Sequence, residues 1–375
     1  MNETAKTAEP LSEFQLAMKN FKSNRPAMAA LVVLISLYLM AIFADFLSPY
    51  TFSNEEREYS YCPPTPIKFL DNGKLTWPYV YGMKTWFDEN HRRIYAPDKD
   101  KKYPLGFLVK GDAYKFFGLI STDRHLWGIA TNSQITSTDK PGRVHLLGAD
   151  SRGRDLFSRL LYGGRVSLSI GLLGVMIAFP IGLLVGGIAG YCGGKVDDIL
   201  MRICEMIMMS PGFYILLTLR AVVPSNFNSV QIYFSIIVIL AFIGWAGLAR
   251  VIRGMCLSLK QREFVLAAKA IGVSDFKIIV QHILPHTISY SIIAVMLAIP
   301  GYILGESALS LIGLGIVDPY ASWGNLLTDA MSIVKVKFAP WVLLPGVFIL
   351  MTVVCFNLIG DALRDCLDPM YKSGK

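Results

Sequence analysis

A chain of 375 residues that is 53% hydrophobic, 17% charged and formally +8 is too apolar for an ordinary soluble domain, in which about a quarter of residues are charged. The apolar excess lies in long runs, which assigns it to lipid-facing helices and not to one large core. The positive charge is gathered in short loops and tails beside those runs, a topological bias that argues against nucleic-acid binding.

Residues 1–27 form a basic tail with Lys6, Lys19, Lys22 and Arg25, and the first apolar run follows at 28–47. It begins late, is a full span long and lacks a small-residue cleavage pattern before Ser48-Pro49, so 28–48 reads as a membrane helix and not as a cleavable signal. The next hundred residues, 49–148, differ from all the rest in being rich in Tyr, Trp, Pro and Lys. Within them IKFLDNGKLTW (67–77) sets Asn72-Gly73 between two strand-like runs, the strongest short hairpin signal. YKFFGLIST (114–122) is a further strand candidate. The segment reads either as a small β-rich cap or as a loosely ordered insertion, since loops of this length are functional or disordered. Long loops escape the charge rule, so it is expected on the extracytoplasmic side despite its lysines.

Five further spans are expected within 149–363, at 166–190, 200–223, 230–249, 288–313 and 341–360, each near the roughly 20 residues that cross a bilayer. The run at 200–223 is interrupted by Arg202, Glu205 and Arg220, and Pro211-Gly212 is expected to kink it. Before it, Gly193-Gly194 makes a turn and Asp197 or Asp198 is expected to cap the helix. Between the last two spans, Ser322-Trp323 is expected to start a short interfacial helix. The loop 250–287 carries Arg250, Arg253, Lys260, Arg262, Lys269 and Lys277, and the tail 364–375 carries Arg364, Lys372 and Lys375. The opposite loops hold no Lys or Arg near 224–229 and two near 315–340. Both termini and the loop 250–287 are therefore expected in the cytoplasm of a multi-pass cell-membrane protein. Of six cysteines only Cys62 falls in an extracytoplasmic loop, so no intrachain disulfide is expected there, and no Cys/His cluster suggests a metal.

Catalytic patterns are missing from the sequence. Gly193-Gly194-Lys195 is followed by Val196 and is no phosphate-cradling loop, and there is no HExxH. GESAL (305–309) has Leu309 where a nucleophile elbow needs glycine, so small-residue helix packing accounts for it. No enzyme activity and no bound cofactor are expected of this chain.

The stretch EFVLAAKAIGVSDFKIIVQHILP (263–285) is too polar and short to span, yet has helical periodicity. Phe264, Ala267/Ala268 and Ile271 form one apolar face, Gly272 suits a left-handed helix end, and Ser274 with Asp275 opens a second helix. Phe276, Ile279/Val280 and Ile283 form that helix's face, and Pro285 is expected to close it. The result is a helix-turn-helix elbow, either resting on the membrane or docking a cytoplasmic partner.

AAKAIG, nine residues and then HILP resemble the EAA loop of permease subunits of binding-protein-dependent ABC importers. Ala267, Ala268, Gly272, Leu284 and Pro285 match it; Leu266 stands where the pattern has glutamate, with Glu263 one turn earlier. LLGADSRGRDLFSRLLYGGRVSLSIG (146–171) is similar to the Gly-x-Asp-x-x-Gly-Arg-Asp start of the dipeptide and oligopeptide permease core, here Asp150, Gly153, Arg154 and Asp155. GGKVDDILMR, LSLIGLGIVDPYASWGNLL and the N-terminal FKSNRPAMAAL are similar to other segments of that family. The resemblance covers most of 15–370 apart from about 49–144.

It implies an all-α polytopic membrane protein of about six transmembrane helices of the MetI-like permease type, with a β-containing extracytoplasmic insertion after the first helix. It also implies a second homologous permease, two ABC ATPases that hold ATP and Mg and dock on 263–285, an extracytoplasmic substrate-binding protein, and di- or oligopeptide import. Nickel importers share the motifs, so nickel or another small solute is the alternative cargo; an ion-coupled secondary transporter would need mid-membrane acidic relays and paired broken helices. Glu205, Arg220 and Glu306 are intramembrane candidates for function or for helix–helix glue. Arg154 and Asp155 either gate or brace the outer mouth, or simply pair within the loop.

Overall fold

The computed structural model describes residues 13–71, 73–89, 93–116, 120–130, 142–224 and 226–367. Helix α1 (Glu13–Ser23) leads into α2 (Arg25–Ile42), whose first turn is capped by the Asn24 side chain accepting from the Ala27 amide at 3.2 Å. Pro26 sits in that first turn, where a missing N–H costs nothing. Ala27, Ala30, Leu34, Leu37 and Ala41 recur at helical spacing and are buried, while Val32, Ile35, Leu39 and Ile42 face outward. Arg165 closes the far end of α2 through the Ala41 carbonyl at 3.0 Å and Asp45 at 2.9 Å.

The insertion is a four-stranded antiparallel sheet in sequential order: β1 (Lys68–Asp71), β2 (Lys74–Phe87), β3 (Arg93–Phe116) and β4 (Ile120–Ile129). Asp71 lies opposite Lys74 and Gly73 has φ +80°, as the hairpin signal at 67–77 predicts; Asn72 lies outside the described residues. The stretch 114–122 is not one strand. It holds the end of β3 and the start of β4, with Tyr114 opposite Thr122 and Phe116 opposite Ile120. Gly118 is the sole turn residue in that sequence, and apolar residues continue across it, so the two arms read as one run. Val80, Leu105 and Val144 form the sheet's small core, and the Trp127 indole donates to the Leu47 carbonyl at 3.0 Å, fastening the sheet to the end of the α2 segment.

Besides the short helices Ala44–Leu47 and Ile333–Phe338, the chain forms α3 (Leu156–Cys192), α4 (Gly194–Met209), α5 (Gly212–Val222), α6 (Ser229–Leu259), α7 (Glu263–Ala270), α8 (Asp275–Leu311), α9 (Trp323–Leu326) and α10 (Leu344–Leu367). Five helices among the described residues are long and apolar enough to cross a membrane, and up to six if α4 and α5, bent by 93° at their junction, count as one span. The expected span at 200–223 is thus broken and not merely kinked: Ser210, forced into extended backbone before Pro211, ends α4, and Pro211 starts α5 without a side-chain cap. The cap of α4 is Gly193, at φ +67°, and neither Asp197 nor Asp198. Asp197 lies one turn inside, buried, and pairs with Arg253 of α6.

Gly182, Gly186 and Gly190 form a stripe on α3 that lets α6 approach its backbone. A Cβ on Gly186 would lie 2.4 Å from the Ala249 carbonyl oxygen, and one on Gly190 would lie 2.7 Å from that of Arg253. The 37 residues of α3 extend for roughly 55 Å at 1.5 Å per residue. Its first turn meets the sheet, with the Phe157 and Trp127 rings 5.8 Å apart, and its last turn meets α7 through Tyr191. The sheet and the elbow therefore lie at opposite ends of one helix.

Candidate functional site

At the elbow, α7 ends in a Schellman closure. The Val273 amide donates to the Ala268 carbonyl and the Gly272 amide to the Lys269 carbonyl, each at 3.1 Å, with Gly272 at φ +83°. Val265 and Ala268 are buried against Cys256 of α6 and against Ile278 and Ile283. Of the face expected at Phe264, Ala267/Ala268 and Ile271, Ala268 turns inward and the others outward: Ile271 is 81% exposed, and Leu266 beside them 55%. Periodicity found a face, but α7 is apolar on two sides, and only the packing of its neighbours selects the inner one. In the second arm the expected Ile279 and Ile283 do point inward, joined by Ile278, while Phe276 and Val280 point out.

Pro285 does not close that arm. A π turn at Ile278–Ile283 and a 3₁₀ turn at Leu284–Thr287 carry the helix on to Leu311. The wider turn accommodates the missing proline N–H and the ring's conflict with the preceding carbonyls. The Tyr191 hydroxyl donates to Asp275 at 2.7 Å and the Phe264 and His286 rings lie 4.8 Å apart, so the elbow is tied both to α3 and across its own arms. Of the residues singled out here, Glu263, Leu266, Ala267, Gly272 and Pro285 are at the surface, whereas Ala268 and Leu284 are internal.

At the opposite end, Asp150 gathers the motif around itself. It accepts from the amides of Arg152 at 2.8 Å and Arg154 at 3.0 Å, and from the Arg154 guanidinium at 2.7 Å. Gly153 has φ +75°, and a Cβ there would lie 1.8 Å from the Glu56 carbonyl oxygen, so the site demands glycine. Arg154 does pair within the loop, with Asp150, and it also reaches out of it. Arg154 reaches Asp318 at 2.9 Å, while Asp155 caps α3 by accepting from the Ser158 amide at 2.8 Å and its hydroxyl at 2.6 Å.

Two members of the cluster were not singled out by motif: Arg159, buried and 3.1 Å from Asp318, and Asp318 itself. They stand 159 positions apart; each lies inside a segment similar to the family, 146–171 and LSLIGLGIVDPYASWGNLL, but nothing in the sequence pairs the two. Burial pushes the Asp318 carboxyl up, but the guanidinium groups of Arg154, Arg159 and Arg152 outweigh it and hold the group below its usual range. Asp150, Arg154, Arg159 and Asp318 line a cavity of about 250 Å³ that also reaches Ser310 and Asn325.

The intramembrane carboxylates separate. Glu306 is fully buried and accepts from the hydroxyls of Ser167 at 3.0 Å and Ser310 at 2.6 Å. Those hydroxyls in turn accept from the amides of Trp323 and Ile316, each at 3.1 Å, so Glu306 anchors the connection between α8 and α9. Glu205 is partly exposed and pairs with Arg202 at 3.2 Å, and Arg220 donates to the Leu314 carbonyl at 2.6 Å as helix–loop glue.

Residues 182–373 match the family of binding-protein-dependent transport system inner membrane components, and residues 12–64 match the N-terminal TM domain of oligopeptide transport permease C. The chain is 42% identical over 226 residues to the oligopeptide transport system permease protein OppC of Haemophilus influenzae, covering 60% of this chain and 70% of that one. It is 39% identical over 232 residues to the dipeptide transport system permease protein DppC of Bacillus subtilis, covering 62% and 71%. With the DppC of Lactococcus lactis subsp. cremoris it shares 31% over 373 residues, covering 98% of this chain and 93% of the relative, a match long enough to take in the sheet. A solved chain of the MetNI methionine ABC transporter, facing inward, superposes with a TM-score of 0.43 at 16% identity, covering 56% of this chain and 96% of that one. The chain belongs to the inner membrane components of binding-protein-dependent transport systems, the permeases of ABC importers.

Proposed function

We propose that this permease carries peptides inward, and that ATPase subunits drive it by docking on the elbow at 263–285. The carrying observation is the elbow's build: a self-packed unit, locked by Gly272 and tied to α3 and α8, that turns an apolar face outward at Phe264, Leu266, Ala267 and Ile271. A rigid element of this kind transmits a push, because interfaces and packed cores switch between discrete arrangements and do not deform continuously. ATP and Mg belong to the partners; this chain supplies the lever and binds no cofactor. Leu266 makes an aliphatic contact where the family pattern carries glutamate, and Glu263 supplies the nearest carboxylate on the same turn.

Peptide cargo is supported by the OppC and DppC relatives. The short-loop positive charge supports a cytoplasmic elbow and termini, and with them an extracytoplasmic sheet. One chain carries one lever, so a second homologous permease, two ATPases and an extracytoplasmic binding protein complete the importer. The cluster of Asp150, Arg154, Arg159 and Asp318, held by Gly153 and by the Asp155 cap, braces the outer mouth. The test is co-purification. Ile271→Arg and Gly272→Pro should insert into the membrane normally and lose the ATPases; retention of the ATPases with normal uptake in both variants contradicts the docking assignment.

A further inference from the structure

The outward stripe of α2, Val32, Ile35, Leu39 and Ile42, recurs at helical spacing on one side of a spanning helix and therefore faces hydrocarbon. At the sheet end this stripe runs into a groove of about 630 Å³ between α2 and the paired ends of β3 and β4. Leu39, Met40 and Phe43 form one wall, and Tyr114, Phe116 and Ile120 form the other, with the Phe43 and Phe116 rings 5.8 Å apart. Ile120 is 65% exposed.

The level of the groove follows from α2 itself. Eighteen residues at 1.5 Å each extend for about 27 Å, close to the hydrocarbon thickness, and the groove lies on the last turn. The hairpin end therefore reaches the membrane boundary, where aromatic side chains and cations collect. Among the described residues no carboxylate lines the groove, and the charged one is Arg124, which donates through Nη1 to the Leu108 carbonyl at 3.1 Å and carries further N–H donors on the same guanidinium. Lys115 is exposed on the neighbouring strand.

We propose that this groove binds a phospholipid of the outer leaflet, its acyl chain between α2 and the hairpin and its phosphate at Arg124. The continuity of the groove with the lipid-facing stripe favours lipid over a protein partner, and the cation in its lining, Arg124, matches a phosphodiester. The insertion is then an interfacial anchor as well as a cap, which fixes the sheet's height over the mouth. This holds independently of what the permease carries.

The test uses the assembled importer in vesicles of phosphatidylcholine and phosphatidylglycerol that contain a trace of either lipid with a diazirine on its acyl chain. After irradiation, labelled peptides are mapped by mass spectrometry. Label is expected both at 39–47 and at 114–124, with the phosphatidylglycerol probe favoured. Phe116→Asp with Ile120→Asp should reduce label at 114–124 by about fivefold or more while label at 32–35 is unchanged, and Arg124→Gln should bring the two probes to equal labelling. Label at 39–47 without label at 114–124, or hairpin label that the double variant leaves intact, overturns the proposal. Cross-linking of the hairpin to another protein chain in place of lipid overturns it too. Peptide uptake in the same vesicles reports separately on the transport reading.

Discussion

Gly153 and Gly194 share left-handed backbone, at φ +75° and +54°, but a Cβ meets the Glu56 backbone at the first and nothing within 4 Å at the second. Gly153→Ala should cost roughly 2–4 kcal/mol, from strain and a forced shift of the mouth, and Gly194→Ala about 1–2 kcal/mol from backbone strain alone. Thermal unfolding of the purified chain separates them; equal shifts would show that the Glu56 contact is not tight. Glu306→Ala removes the acceptor shared by the Ser167 and Ser310 hydroxyls, a loss of about 1–3 kcal/mol. Glu306→Gln keeps an acceptor and should lose less than half of that; equal losses would mean that the hydroxyls find other partners. Asp318 adds a pH dependence. Its folded pKa lies below the ordinary 3.8, so its stabilisation is complete above about pH 4 and is lost as pH falls through the lower folded value. Wild type should lose stability in acid more steeply than Asp318→Asn, and parallel curves would remove Asp318 from the brace.

At the scale of elements, the elbow offers two alanines with opposite fates. Ala268 packs on Ile278 and Ile283, so Ala268→Arg should splay the arms and lower stability by about 2 kcal/mol or more. Ala267 is at the surface, and Ala267→Arg should leave stability within about 0.5 kcal/mol while weakening ATPase capture. Pull-down and unfolding of both variants decide this: loss of capture only with loss of fold would place the docking face elsewhere. Much of the elbow is legible in the sequence, because Gly272 and the 3.6-residue period are local signals. Its inner face and the passage through Pro285 are not, because neighbouring helices select the face and a π turn keeps the proline inside a helix. The sheet follows the same division. Asn72-Gly73 announces the first hairpin, whereas the continued run of apolar residues across 114–122 conceals the last one.

Over the whole molecule, α3 joins the Asp150–Arg154–Asp318 cluster near its Asp155 cap to the elbow at Tyr191, with the glycine stripe seating α6 along it. A push at one end therefore has a continuous, close-packed route to the other. The five straight spans and their apolar character are legible from composition and run length. The 93° break between α4 and α5, and the meeting of Arg154 and Arg159 with Asp318, are not, since they depend on contacts between distant parts of the chain. The most direct measurement is peptide uptake into proteoliposomes holding the complete importer and, separately, this permease alone. Uptake should need the ATPases and ATP hydrolysis, should be indifferent to an imposed proton or sodium gradient, and should vanish with Ile271→Arg. Gradient-driven uptake by this chain alone would contradict the account.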